Sequence, residues 1–216
     1  MASSNTASTP RRSGLAQSRS RDTRRKVIRA ALAMWNEQGF DEAFEATTVA
    51  DIARAAGVSK GTFYFHFANK QEILLEVAWG TSRRMIEEAD AGIRRGTPIF
   101  ELVDQLLKSM ARRVSRAPKA LAYRAVGEWS RLSPEAVARP AGVGVAFKAL
   151  IRHGQAQGDL PTDLDVFELA ALLHAATLDA LVRWSSSAQT TATLRKNLCR
   201  RADIVLKGAV ASYSPS

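Results

Sequence analysis

Three observations predict an all-α fold in two parts. Apolar residues recur at i, i+3 and i+4 spacing in one segment after another, and no segment sustains the alternation of a strand. Breakers fall where helices begin and end: Thr97-Pro98, Ala117-Pro118 and Ser133-Pro134 on the opening side, Gly39, Gly96 and Gly158 on the closing side. Charge and composition then separate a short basic N-terminal portion from a longer apolar remainder.

The first twenty residues are rich in Ser, Thr, Ala and Arg with almost nothing to bury, and a disordered basic arm is expected over 1–20. Residues 1–29 hold Arg11, Arg12, Arg19, Arg21, Arg24, Arg25, Lys26 and Arg29 against a single Asp22, which is most of the net charge of +10. Such an arm can follow a phosphate backbone or insert arginines into a narrow minor groove; an inert solubilising tail is the plainer alternative. From Arg24 to Gln38 the positions Val27, Ile28, Ala31, Leu32, Met34 and Trp35 keep helical spacing, with Gly39 as the stop and Phe40 free to fold back.

The stretch TTVADIARAAGVSKGTFYFHFANKQEILL, from Thr47 to Leu75, reads as a short helix, a tight turn and a second short helix. Ile52 and Ala53 are spaced to face inward. Ala56-Gly57-Val58 makes the turn, where Gly57 supplies a positive φ and Val58 plugs the space between the helices. Ser59 caps the second helix and leaves Lys60, Gly61 and Thr62 at its open end. A helix start attracts phosphate through its unpaired N–H groups. Lys60 can reach guanine acceptors or a phosphate, Thr62 a base edge or a thymine methyl, and Gly61 lets the backbone come close. Tyr64, His66 and Lys70 offer donors to phosphate oxygens, with Phe63, Phe65 and Phe67 expected as the apolar body behind them. The plainer reading of FYFHF is ordinary core or a strand. Turn, cap, donors and basic flank together favour a helix-turn-helix that reads the major groove.

The same stretch resembles the DNA-binding signature of the TetR family of transcriptional regulators. The resemblance is carried by Thr47-Thr48, Ile52-Ala53, Ala56-Gly57-Val58-Ser59, Gly61-Thr62-Phe63-Tyr64, His66-Phe67, Lys70 and Leu74, without a gap. It implies an all-helical homodimer, with an N-terminal three-helix helix-turn-helix DNA-binding domain followed by a helical ligand-binding and dimerisation domain. By that resemblance Thr48, Tyr64, His66 and Lys70 hold phosphates, while Lys60, Gly61 and Thr62 approach bases. The chain departs from the family pattern in the added residues Asp41-Glu42-Ala43-Phe44-Glu45-Ala46, which leave the start of the second helix and the role of Thr47 open. On this reading the domains are a basic arm over 1–20, a helix-turn-helix domain over 21–70 and a helical domain over 71–216.

Beyond Lys70 the pattern is helix after helix. Asn69 with Glu72 opens a long helix to about Arg95, ended by Gly96. Each Thr/Ala/Ser-Pro pair opens another with proline at the first helical position. Pro140, Gly142 and Gly144 interrupt, after which a helix runs from about Val145 to Gln157. Thr162 or Asp163 caps a helix to about Trp184, and Leu194 to Val210 forms the last. The turn Gly158-Asp159-Leu160-Pro161 also resembles the one that precedes this helix in the TetR family.

From Val166 to Val182 the sequence is apolar nearly all round, with Glu168, Asp179 and Arg183 on one stripe, so most of its surface needs cover. Leu194, Leu198, Ala202, Val205 and Ala209 give the final helix a matching stripe. The expectation is a homodimer through the last two helices, suited to a palindromic operator in double-stranded DNA. Met85, Leu106, Met110, Tyr123, Trp129, Phe147, His174 and Thr177 are candidates to line a ligand site, with Trp184 beside them and Tyr123, His174 or Glu128 as the polar contact. Taken singly, each is more simply a core residue.

Several classes are disfavoured. Cys199 is the only cysteine, which leaves no disulfide framework and no cysteine metal cluster. No apolar run has membrane-spanning length, and no hydrophobic signal segment opens the sequence, so a cytoplasmic protein is expected. Catalytic motifs such as His-Glu-x-x-His or Gly-x-Ser-x-Gly are missing, and no cofactor is implied. The resulting reading is a ligand-responsive repressor released from its operator by a small, largely apolar effector. The alternatives are a constitutive DNA-binding protein whose C-terminal domain only dimerises, and an enzyme on a helical scaffold.

Overall fold

The computed structural model describes residues 11–36, 39–131 and 142–212, with side chains from residue 17 onward. Among the described residues there are ten helices and no strand. They are α1 (Arg11–Asn36), α2 (Phe40–Ala46), α3 (Val49–Ala55), α4 (Lys60–His66), α5 (Gln71–Arg94), α6 (Ile99–Val114), α7 (Lys119–Ser130), α8 (Val143–Gln157), α9 (Val166–Ser185) and α10 (Thr191–Ser212). The chain divides into two compact units, Met1–Ile73 and Leu74–Ser216, and the division falls inside α5.

In the first unit, α1 opens at Arg11, so residues 11–20, expected to be disordered, lengthen the first helix instead. Arg, Gln, Leu and Ala are good helix formers, and extending an existing helix needs no new nucleus. Residues 1–10 lie outside the described residues. Val27, Ala31 and Trp35 bury one face of α1. The added segment before the motif is a helix of its own, α2. Phe40 and Phe44, one turn apart, both meet the Trp35 ring edge-on, at 5.9 Å and 4.9 Å between centroids. Asp41 and Glu42 sit in its first turn, where negative charge suits the helix dipole. Ile52 and Ala53 of α3 and Phe63 and Phe67 at α4 complete this core.

In the second unit the punctuation follows the sequence reading closely. Gly96 ends α5 at φ +69° and Gly158 ends α8 at φ +80°, both in the left-handed region that only glycine adopts freely. Glu72 N–H donates to Asn69 Oδ1 at 3.0 Å to open α5. Five boundaries differ. Pro98 and Pro118 stand at the N-cap, one residue before the helical position expected of them. Helix α8 begins at Val143, so Gly144, expected in a loop, is helical. The cap of α9 is Asp165, not Thr162 or Asp163: its Oδ1 accepts from the N–H groups of Phe167 (2.6 Å) and Glu168 (3.1 Å). Thr193 N–H donates to Thr190 Oγ1 at 3.2 Å, which places the start of α10 ahead of Leu194. The Ser133-Pro134 device lies outside the described residues.

The core of the second unit is built around Met85, Leu106, Phe147, Leu150, Leu173 and Leu198. Leu194, Leu198 and Ala202 are buried in it, with Val205 and Ala209 packed against it. The stripe expected to face a second copy therefore serves the domain's own core. Two glycines set how closely helices approach. A Cβ on Gly92 of α5 would lie 2.2 Å from Leu102 Cδ1, and one on Gly154 of α8 would lie 2.8 Å from Ile99 Cδ1.

Candidate functional site

The helix-turn-helix is assembled by local hydrogen bonds. Thr48 and Asp51 form a reciprocal cap on α3. Asp51 N–H donates to Thr48 Oγ1 at 3.2 Å, and Asp51 Oδ2 accepts from the Thr48 N–H at 3.0 Å and from its hydroxyl at 2.5 Å. The Thr48 hydroxyl is the main reason the Asp51 carboxyl is held below the usual value. Gly57 adopts φ +66°, and Val58 N–H donates to Ala53 O at 2.9 Å to close the turn. Ser59 Oγ accepts from Thr62 N–H at 3.0 Å and lies 2.9 Å from Thr62 Oγ1.

Helix α4 then sorts its residues by angle. Phe63 and the cap residue Phe67 are buried together, with ring centroids 5.7 Å apart. At 3.6 residues per turn, Gly61 and Phe65 stand roughly opposite that pair. Lys60 and Tyr64 flank them on one side, Thr62 and His66 on the other. Thr48, Ser59, Lys60, Gly61 and Tyr64 are exposed; Thr62 and His66 are half-buried. Phe65 is 79% exposed, so it is not part of the apolar body expected behind the donors. Alternating aromatics cannot share one helix face: the 2-residue period puts Phe65 away from Phe63 and Phe67.

His66 and Lys70 are drawn into the domain more than the sequence suggested. Burial, and then the charge of Arg24, push the His66 imidazole below its ordinary pKa, so it is neutral at pH 7. Arg24 Nη1 donates to His66 O at 2.5 Å, and its guanidinium lies 4.3 Å from the Phe67 ring centroid. The Lys70 ammonium donates to three carbonyls at the end of α2 and beyond: Phe44 (2.5 Å), Thr47 (3.1 Å) and Glu45 (3.2 Å). An ammonium has three N–H donors, so in this geometry none is left for the phosphate it was expected to hold. The positive charge instead meets the negative end of α2, 4.7 Å from the Phe44 ring. Sequence reasoning missed Arg24 as a brace of the site. Its signal was its phase, one turn before Val27 and Ile28 on the core side of α1.

The second unit holds a cavity of about 100 Å³ lined by α5, α6, α7 and α9, with Val143 at the start of α8. Met110, Trp129, His174 and Thr177 border it, as do Val77, Ala78, Thr81 and Ser82 of α5. The remaining expected residues are elsewhere. Met85, Leu106 and Phe147 are buried in the core, as is Trp184, and Tyr123 is 52% exposed on the outer side of α7. Among the described residues, no charged side chain lines the cavity. The hydroxyls of Thr81, Ser82 and Thr177 donate to carbonyls one turn back in their own helices. His174 Nε2 is buried with no hydrogen-bond partner among the described residues, and burial holds its pKa below the ordinary value. Trp129 meets the imidazole edge-on, 6.4 Å between centroids.

A capped helix, a glycine turn and a second helix with an open outer face define a helix-turn-helix DNA-binding regulator of transcription. Residues 27–77 match the tetR family of bacterial regulatory proteins. The chain is 30% identical over 151 residues to the HTH-type transcriptional regulator SrpR of Pseudomonas putida, an alignment covering 67% of each protein. It is 45% identical over 70 residues to TcmR of Streptomyces glaucescens, covering 32% of this chain and 29% of that one. Among solved structures, the fold is similar to Thermus thermophilus FadR, a TetR-family repressor in complex with lauroyl-CoA. The TM-score is 0.73 at 23% identity, over 89% of this chain and 98% of that one. SmeT, repressor of a Stenotrophomonas maltophilia multidrug efflux pump, gives 0.63 at 22% identity over 88% and 92%. The chain belongs to the TetR family of transcriptional regulators. No described helix is long and apolar enough to cross a membrane.

Proposed function

We propose that the protein is a repressor that binds a palindromic operator as a homodimer and is released by a small, largely apolar effector. The observation that carries this is the outer face of α4, left open by a helix whose opposite face is locked into the core by Phe63 and Phe67. Lys60, Gly61 and Thr62 present that face to bases, while Thr48, Ser59, Tyr64 and His66 lie where phosphates flank it. In this reading the N-terminal unit reads DNA, and the C-terminal unit binds the effector and dimerises.

Dimerisation runs through α9 and α10, but by their outward faces. Ala171, Leu172 and Ala175 of α9 and Ile204, Gly208 and Ala211 of α10 are all exposed, forming an apolar, small-residue surface that a second copy would cover. Arg201 of α10 binds Asp179 of α9, which Arg183 of the same helix also holds, and so ties the two helices together.

The cavity sets the chemistry of the effector. The described walls carry no charge and so favour an uncharged ligand, and His174 Nε2 offers it one polar contact. A cavity of about 100 Å³ is smaller than the roughly 150 Å³ that admits benzene in an engineered protein, so a ligand of one ring or more needs some widening. Because α5 both lines the cavity and supplies the first residues that join the units, a ligand favouring one setting of α5 would shift DNA affinity.

Fluorescence anisotropy of the full chain on DNA from its own upstream region, against scrambled DNA across a salt series, tests this reading. Tight, sequence-preferring binding with a steep salt slope supports it; weak binding equal on both DNAs overturns it.

A further inference from the structure

Phe65 stands out from every other described apolar residue of the first unit. It is the most exposed large apolar side chain among the described residues, at 79%, while Phe63 and Phe67 on the same helix are fully buried. Its position is not an accident of a loose terminus. It lies inside α4, capped at one end by Ser59 and held at the other by Phe67, with its ring 5.0 Å from that of His66. A phenyl ring carries no hydrogen-bond donor or acceptor, so it can neither hold a phosphate nor read the donor and acceptor pattern of a base edge.

One apolar group is exposed in the major groove of B-DNA, the C5-methyl of thymine. Gly61 lies one turn before Phe65 on the same side of α4. A Cβ there would meet nothing closer than Ser59 Oγ at 3.7 Å, so the helix surface is low at that point and a groove floor can come near the ring. Thr62 and Tyr64 flank the ring with hydroxyls suited to the polar surroundings of a base pair. We infer that Phe65 is a specificity-determining residue that selects thymine by packing on its C5-methyl. The inference rests on the proposed insertion of α4 into the major groove, and adds to it the base that this residue reads.

The test replaces thymine by uracil, which removes that methyl and nothing else. Duplexes selected by the full-length protein from a random pool define the site, and each thymine is then replaced singly. Burial of one methyl corresponds to about a fourfold change in affinity. Wild-type protein is expected to lose about that factor at symmetry-related thymines, one in each half-site. Phe65→Ala, altered in both copies, should bind the thymine duplex about as weakly as wild type binds a duplex with uracil at both symmetry-related positions, and should be indifferent to the exchange. Phe65→Leu, still apolar, should keep part of the discrimination. Equal sensitivity to uracil in wild type and Phe65→Ala, or no sensitivity in wild type at any thymine, overturns the inference while leaving DNA reading intact. Failure of wild type to select any sequence overturns the reading of α4 itself, and this inference with it. Unchanged thermal melting of Phe65→Ala, expected for so exposed a residue, separates readout from folding.

Discussion

Replacing Lys70 by Met separates two roles that a basic residue beside a DNA-reading helix can have. In the structure the ammonium bonds the carbonyls of Phe44, Glu45 and Thr47, gathering the end of α2 and the approach to α3. Hydrogen bonds to a charged group contribute about 1.5–3 kcal/mol net, and a cation at a helix C-terminus adds up to about 1 kcal/mol when exposed. Lys70 is half-buried and has no carboxylate partner in these bonds, so we take about 2 kcal/mol for the whole clamp. Methionine keeps the length and apolar stem of the side chain and removes the ammonium, its charge and its donors together. In a unit of this size 2 kcal/mol lowers the melting temperature by roughly 8–16 °C. Hydrogen exchange followed by mass spectrometry should show lost protection in α2 and α3, with α6 to α10 unchanged. Affinity for DNA should fall because less of the unit is correctly folded, yet the slope of log K against log salt should stay the same. A slope shallower by about one unit, with unaltered exchange in α2, would show that Lys70 leaves its carbonyls to hold a phosphate. That result would refute the clamp.

Gly92→Ala should destabilise the second unit by about 1–3 kcal/mol, since its Cβ would run into the buried Leu102 side chain; a melting temperature within a degree of wild type would contradict the close α5–α6 approach. His174 links stability to pH. Its folded pKa lies below 6.5, so as pH falls below 6.5 the unfolded chain takes up the proton first and stability is lost until the folded value is passed. The melting temperature of the second unit should therefore drop more steeply from pH 7.5 to 5.5 in wild type than in His174→Leu, and parallel curves would rule out the buried neutral imidazole.

The helix-turn-helix was legible because its instructions are local. Thr48 and Ser59 cap helices that start within a residue of them, and Gly57 takes a backbone angle that few other residues accept. The same holds for Gly96 and Gly158. What escaped the sequence depended on partners far along the chain. Lys70 looks like a phosphate donor until α2 brings three carbonyls to it from more than twenty residues away. The added residues 41–46 became a helix because Trp35 gave Phe40 and Phe44 a surface to pack on. Leu194, Leu198 and Ala202 form a stripe that fits either a partner or the chain's own core, and periodicity cannot tell them apart. Asp165 won the cap over Thr162 and Asp163 by standing next to the first turn of α9. The cavity was half legible: apolar and aromatic types were right, but Met85, Leu106 and Phe147 have the same chemistry and lie in the core.

In the proposed function α4 enters the major groove twice, once from each copy. Protection of guanine N7 from methylation, measured on a selected duplex saturated with the full-length protein, reports on the major groove alone. Two protected patches on one side of the duplex, about 34–36 Å apart or a multiple of that, are the expected result. A single patch, or guanines as reactive as in free DNA, would contradict it.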